Sequence, residues 1–305
     1  MTSSREHVDE RPTDPNDAGA VLLDLVGANR RVLELGTTGG LTRWLADAGC
    51  EVTAVVPDET AAETARESAA EVVVGDLESL DLEAQFGDRR FEVVVCAGVL
   101  GRLRDPGRAL VAARRLLEPG GRVVASVPNV AHGDVRAELL AGRFEYRDDG
   151  LLDPANVTLL TRDTLQRRLV DSGLIAVDWR TIHRPLGATE LAAPIGAAPP
   201  AVLDMLEADP DAETYQFVVV AVPDDGAKGL SELSDRLGAA QLRADRAERE
   251  NEALRAKVDL LTREAEAART EAVRLTQGLS AAQAAKSWKG LAPLRRLVNA
   301  RRGGA

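Results

Sequence analysis

Aromatic side chains are scarce in this sequence. Three Trp, two Tyr and four Phe amount to 3% of 305 residues, so Val, Leu and Ala must fill any core. Cysteine is nearly absent, and Cys50 and Cys96 provide neither a disulfide framework nor a metal-ligand spacing. Both lie in or beside apolar runs and read as small buried hydrophobes in a reducing compartment. No metal site is expected. Basic excess is lacking too: a net charge of -11 argues against a general nucleic-acid binder, whose footprint is basic. No stretch is long and apolar enough to span a bilayer. Residues 1–16 are polar and lack the basic and apolar regions of a signal peptide. A soluble, cytoplasmic protein with a disordered tail at 1–18 is expected.

What is present begins with alternation. Between residues 19 and 224 short β-branched runs alternate with helical patterns. Strands are expected at Arg31–Leu35, Glu51–Val56, Glu71–Val74, Phe91–Ala97, 122–126, 175–182 and 215–222. Helices are expected between most of them, for example at 41–48, 59–69 and 107–117. This order implies an α/β domain with a doubly wound, mostly parallel seven-stranded sheet. The last strand follows another strand across an Ala- and Pro-rich loop, which suits an antiparallel return.

The chemistry concentrates in Val32-Leu33-Glu34-Leu35-Gly36-Thr37-Thr38-Gly39-Gly40. An apolar strand ends in an acid and a glycine-rich turn, where backbone can approach a ligand with no Cβ between. A dinucleotide GxGxxG would need glycines at 36, 38 and 41, and Thr38 and Leu41 fail it. A GxGxG spacing fails only at Thr38. That turn resembles the first motif of the class I S-adenosylmethionine-dependent methyltransferases, and the resemblance covers about residues 31–222. It implies a Rossmann-like fold and S-adenosylmethionine as the cofactor. It also assigns Glu34 to organising the turn, and the backbone of Gly36, Thr37, Thr38, Gly39 and Gly40 to lying against the cofactor. Asp76 and Leu77, after the third strand, fall where that family holds adenine. Ala97 and Gly98, ending the fourth, fall where it flanks the sulfonium. Leu117-Glu118-Pro119-Gly120-Gly121-Arg122 is similar to the turn before the fifth strand.

A narrower likeness follows. Pro128-Asn129-Val130-Ala131-His132-Gly133, Gly142-Arg143-Phe144-Glu145-Tyr146 and Gly150-Leu151-Leu152-Asp153 resemble a subgroup associated with bacterial surface glycans. There this insertion lies over the active site, which implies acceptor contacts at Asn129, Arg143, Tyr146 and Asn156. His132 is the expected general base, because its pKa range suits proton transfer; a loop histidine bonded to backbone is the alternative. Arg143 and Tyr146 could equally pin the insertion to the sheet.

Departures from the family pattern matter as much. Val56 stands where the second strand usually ends in an acid that grips the ribose. A lost charge-assisted hydrogen bond costs about 1.5–3 kcal/mol. Asp58, two residues on, is the nearest carboxylate; Asp58 and Asp76 could also be plain turn residues. Gly101-Arg102 replaces a Glu-His pair, and Asn156 replaces a histidine. The leading expectation is a methyltransferase acting on a sugar, glycan-related or other small-molecule acceptor. The alternative is a weakly active or inactive methyltransferase-fold scaffold in a glycan-assembly complex. A nicotinamide oxidoreductase ranks third.

Beyond the domain, residues 229–285 turn rich in Ala, Arg, Glu and Leu, without proline. Apolar residues recur every seven from Leu237 to Leu279, with a second series from Leu233 to Ala282, and Asn251 is the one polar residue in the seam. This a/d pattern predicts a long coiled-coil helix forming a homodimer or hetero-coiled-coil, the lone asparagine favouring in-register pairs. A solitary solvated helix is the alternative. Residues 286–305 carry six Lys and Arg, no acid, and interleaved Trp288 and Leu residues. They read as a basic amphipathic tail suited to the inner face of a membrane, or as a disordered solubilising tail. Ser287-Trp288-Lys289-Gly290-Leu291-Ala292-Pro293-Leu294-Arg295 also resembles tails that follow coiled coils in glycan-assembly enzymes.

Overall fold

The computed structural model describes residues 11–36, 40–193 and 195–224, with Gly238 and scattered residues between Leu254 and Arg274. Its strands are β1 (Arg31–Leu35), β2 (Glu51–Val56), β3 (Glu71–Val74), β4 (Phe91–Ala97), β5 (Leu117–Pro128), β6 (Leu174–His183) and β7 (Thr214–Pro223). They form one seven-stranded sheet in the order β3-β2-β1-β4-β5-β7-β6. Strands β1 to β5 pair in parallel, while β7 runs antiparallel to both β5 and β6. The doubly wound sheet with its antiparallel last strand is therefore present as expected. One boundary differs. β5 begins at Leu117, which pairs with Phe91 before the register shifts and resumes at Arg122 beside Val93. The Glu118-Pro119-Gly120-Gly121 turn is thus a bulge within the strand, with Gly120 at φ +82°.

Helices are α1 (Ala18–Val26), α2 (Gly40–Asp47), α3 (Glu59–Ala65), α4 (Leu82–Phe86), α5 (Pro106–Leu116), α6 (Gly133–Leu140), α7 (Arg162–Asp171) and α8 (Pro200–Ala208). Aspartates start several of them: Asp17, Asp58, Asp81 and Asp105 each accept a backbone N–H of the first turn. Thr161 and Thr164 form a reciprocal capping box at α7.

Alternation along the strands sends side chains to two faces. Leu33, Leu35, Val94 and Cys96 join Leu110 and Leu116 of α5 and Leu165 and Leu169 of α7 in the larger core. Val32, Val93 and Val95 meet Leu22, Leu23 and Val26 of α1 and Leu45 of α2 on the opposite face. Ala54 and Val56 pack against Ala62 and Ala65 of α3. Cys50 and Cys96 are free and buried, and burial pushes the Cys96 thiol up to about 12.

The chain divides into two compact units, 1–243 and 244–305. In the second, the described residues between Leu254 and Arg274 are helical and exposed. Most of the expected coiled coil at 229–285, the tail at 286–305 and residues 1–10 lie outside the described residues. Among the described residues no helix is long and apolar enough to cross a membrane.

Candidate active site

The five parallel strands end at one sheet edge, and chain order reverses between β1 and β4, where such sheets open a crevice. Gly36 leaves β1 there with φ +72°, and its N–H donates to the Val55 carbonyl at 2.8 Å. A Cβ at Gly36 would sit 2.3 Å from Val99 Cγ2, so glycine is required by conformation and by space alike. Glu34 is 1% exposed and accepts from Thr42 Oγ1 at 2.6 Å, tying the end of β1 to α2. Thr37, Thr38 and Gly39 lie outside the described residues; Gly40 opens α2.

Across the crevice Gly98 leaves β4 with φ +67° and donates to the Ser126 carbonyl and hydroxyl at 3.0 and 3.1 Å. No atom lies within 4 Å of where its Cβ would be, leaving bare backbone facing open space. Asp76, exposed after β3, accepts from Glu78 N at 2.9 Å through Oδ1 and from Leu80 N at 2.7 Å through its carbonyl. Leu77 leans toward Gly36, its Cδ1 3.6 Å from the missing Cβ. Bare backbone at Gly98, with the tight turn at Gly36 packed on Val99 and an acid and an apolar side chain alongside, suits a flat ligand held mainly by main chain.

The neighbouring stretch of the edge, over β5 and β7, is built from side chains. Residues 150–158 cross it as a strap tied at both ends. At one end Glu190 Oε1 accepts from Leu151 N at 2.6 Å and Oε2 accepts from the Tyr215 hydroxyl at 3.0 Å. Gly150, at φ +87°, makes room: a Cβ would lie 2.1 Å from that carboxylate. At the other end Thr158 N donates to the Gly101 carbonyl at 2.8 Å, and Thr158 Oγ1 donates to that of Leu103 at 2.6 Å. The Asn156 amide fills the space a side chain at Gly101 would take, its Oδ1 2.9 Å from that Cβ position. Arg102 and Asp153 pair loosely at 3.8 Å. Below the strap, Val127, Pro128, Val130, Leu151 and Leu160 line a small apolar cavity that Asn156 also borders.

With this geometry in view, the comparisons are decisive for the family. Residues 7–178 match the family model described as "Methyltransferase domain". The chain belongs to that methyltransferase family. It is 34% identical over 187 residues to a ubiquinone biosynthesis O-methyltransferase of Xanthomonas oryzae, spanning 55% of this chain and 75% of that one. A second relative of that name, from Xanthomonas euvesicatoria, is 30% identical over 184 residues, with the same coverage. The solved magnesium protoporphyrin IX methyltransferase of Synechocystis, with bound SAH, is 15% identical, covering 67% of this chain and 80% of its own, with a TM-score of 0.45. This protein is an S-adenosylmethionine-dependent methyltransferase.

Several expected site residues of the methyltransferase have other duties. His132, the expected general base, caps the start of α6. It is fully buried; Nδ1 accepts from Asp134 N at 3.1 Å, so Nε2 carries the proton and donates to the Arg184 carbonyl at 3.0 Å. Neither nitrogen retains a lone pair for an acceptor, and burial pushes the imidazole below the usual histidine range. Asn129, an expected acceptor contact, is likewise engaged within the fold. Its amide donates to the Asp211 and Thr214 carbonyls at 3.2 and 2.8 Å and accepts from Ala131 N at 3.0 Å, stapling β5 to the start of β7. Arg143 is exposed and grips Glu138 of α6 through two hydrogen bonds of 2.8 and 2.6 Å. Tyr146, 59% exposed, packs edge-on against Phe144 at 5.4 Å.

Asp58 caps α3, its Oδ1 accepting from Ala61 N at 2.9 Å. Val56 is fully buried against that helix, so the family's usual ribose acid is replaced here by a core side chain. Two polar anchors escaped the sequence. Asp134, fully buried, accepts from Gly187 N at 2.7 Å and from Thr189 Oγ1 at 2.5 Å. Glu190 holds Leu151, 39 positions away. Neither belongs to a motif or a spacing, so no local signal marked them.

Proposed function

We propose that this methyltransferase transfers a methyl group to an oxygen of a sugar, glycan-related or other small-molecule acceptor. The strap of residues 150–158, tied down beside the glycine-lined end of β4, carries the reading, because it places an ordered insertion next to the donor edge. The exposed Phe144–Tyr146 pair offers an apolar face on which the flat side of a sugar ring can stack. The subgroup motifs in 128–153 support the same class, and the named relatives are O-methyltransferases.

At the donor edge, Gly36 to Gly40 would carry the methionine end by main chain, with Glu34 setting the turn. Asp76 and Leu77 would hold the adenine, Ala97 and Gly98 would flank the reacting centre, and Asp58 is the nearest acid to the ribose. Bound there, S-adenosylmethionine supplies a methyl already activated on sulfur. The protein's task is then alignment, which for well-oriented reactants is worth roughly 7–11 kcal/mol. Asn156 faces the acceptor from the strap, and Arg143 and Tyr146 from its approach. With His132 enclosed, the acceptor proton leaves to water at the mouth.

Two measurements test this. Calorimetric titration with S-adenosylhomocysteine should give micromolar binding that Gly36→Arg abolishes; no binding at millimolar ligand removes the donor assignment. Transfer of radiolabelled methyl should then be followed across a panel of oligosaccharides, nucleotide sugars and catechols. Label on a sugar oxygen is expected. Label on catechols alone overturns the sugar class while leaving the donor assignment intact.

A further inference from the structure

Two polar side chains at the strap keep hydrogen-bonding capacity to spare, and both meet the same turn. Asp153 shapes that turn: its carbonyl accepts from Asn156 N at 2.9 Å, and its Oδ1 accepts from Ala155 N at 2.8 Å. The half-buried Asn156 amide sits over the bare backbone of Gly101 and has no hydrogen-bond partner among the described residues. Arg102 follows Gly101, and its ion pair among the described residues is with Asp153 Oδ2 at 3.8 Å, beyond hydrogen-bond distance. Arg143 and Arg162, by contrast, each hold a carboxylate through two hydrogen bonds of 2.6 to 2.9 Å. A guanidinium fork matches two oxygens of one anion. Asp153 does not offer both, because its Oδ1 belongs to the turn.

The backbone around Arg102 is fixed where β4 meets the strap. The carbonyls on either side of it, Gly101 and Leu103, hold Thr158 at 2.8 and 2.6 Å. Gly101 and Asn156 also depend on each other, since a Cβ at 101 would lie 2.9 Å from Asn156 Oδ1. Two departures from the family pattern therefore form one local arrangement.

We propose that Arg102 is a specificity-determining residue that binds an anionic group of the acceptor, a carboxylate or a phosphate, while the Asn156 amide holds a neighbouring hydroxyl. The inference rests on the acceptor site proposed above and narrows it to acidic acceptors. Asp153 is the resting partner, which keeps the guanidinium at the strap until an anion with two free oxygens takes its place. A neutral acceptor leaves the fork unfilled.

The test uses the full chain, S-adenosylmethionine with a radiolabelled methyl, and acceptors matched but for one acidic group. The pairs are glucose with glucuronic acid, glucose with glucose 6-phosphate, and catechol with protocatechuic acid. The acidic member of a pair should show a kcat/KM about tenfold or more above the neutral one. Arg102→Gln should erase that preference through KM rather than kcat, and Arg102→Lys should restore part of it. Asp153→Asn keeps an acceptor for Ala155 N and should lower KM for the acidic member, because the competing charge is gone. Titration of each variant with S-adenosylhomocysteine should stay within about twofold of wild type, which separates the acceptor side from the donor side.

Equal use of both members overturns the proposal, and so does a preference that survives Arg102→Gln. Transfer to no acidic acceptor by protein that binds S-adenosylhomocysteine overturns it too, as does a rise in KM with Asp153→Asn. Acid-selective labelling of the catechol pair alone keeps the role of Arg102 and removes the sugar class. Glucuronic acid against glucose 6-phosphate tells carboxylate from phosphate.

Discussion

The two halves of the catalytic edge are built by opposite means. The ends of β1 and β4 are defined by what is missing: no Cβ at Gly36, where Val99 fills the space, and none at Gly98, where main chain is left bare. The stretch over β5 and β7 consists of side chains whose hydrogen bonds are already spent, His132, Asn129, Asp134 and Glu190 among them. A main-chain cradle suits a ligand common to a whole family, because it makes few demands on side-chain identity. A surface of interlocked polar side chains is rigid and particular, and suits the part of the site that selects an acceptor.

Substitutions can break that contrast or sharpen it. Gly36→Ala should do most. It places a methyl 2.3 Å from Val99 Cγ2 and holds alanine at φ +72°, so strain and overpacking together cost about 2–5 kcal/mol. Binding of S-adenosylhomocysteine should be lost by calorimetry; adding Val99→Ala should recover part of the stability. Asn129→Ala should cost about 2–3 kcal/mol in urea unfolding, because it strands the Asp211 and Thr214 carbonyls and the Ala131 amide. Its donor affinity should stay within twofold of wild type; a large loss would mean that the two sides are one unit.

Glu190→Ala should cost about 1–2 kcal/mol. Amide hydrogen exchange should quicken at Leu151 and Leu152 and stay unchanged at Leu33 and Glu34. The smallest effect concerns pH. The His132 imidazole is held below its usual range by burial, so the unfolded chain takes up its proton first. Its contribution is complete above the unfolded value of about 6.5 and is lost as pH falls from there toward the folded value. His132→Asn keeps a side-chain cap without titrating. The difference in stability between the two proteins should shrink below about pH 6.5; a difference independent of pH would mean that the ring is not held neutral.

How legible this was follows from where each partner lies in the chain. Strands such as Phe91–Ala97 announce themselves by β-branched runs, and Gly36 by its place after a strand and an acid. Val56 could be seen as a missing acid. That its side chain belongs to the α3 core became visible only with Ala62 and Ala65 packed on it. Asp58 reads as a carboxylate near the ribose and also as a cap, and the structure gives it the cap. Tyr215 is one of two tyrosines in the sequence and attracts no notice there. In the fold, burial and the Glu190 charge push its phenol well above the ordinary range, so it stays a donor.

Sequence alone determined the order of elements, the glycine turn and the family motifs, since each depends on residues close together. Tertiary structure alone decided which polar side chains over β5 and β7 remain available. His132 meets the Arg184 carbonyl 52 positions away, and Asn129 meets that of Thr214 85 positions away. A hydrogen bond of that span exists only after the sheet has brought its two ends together, and no local pattern can encode it.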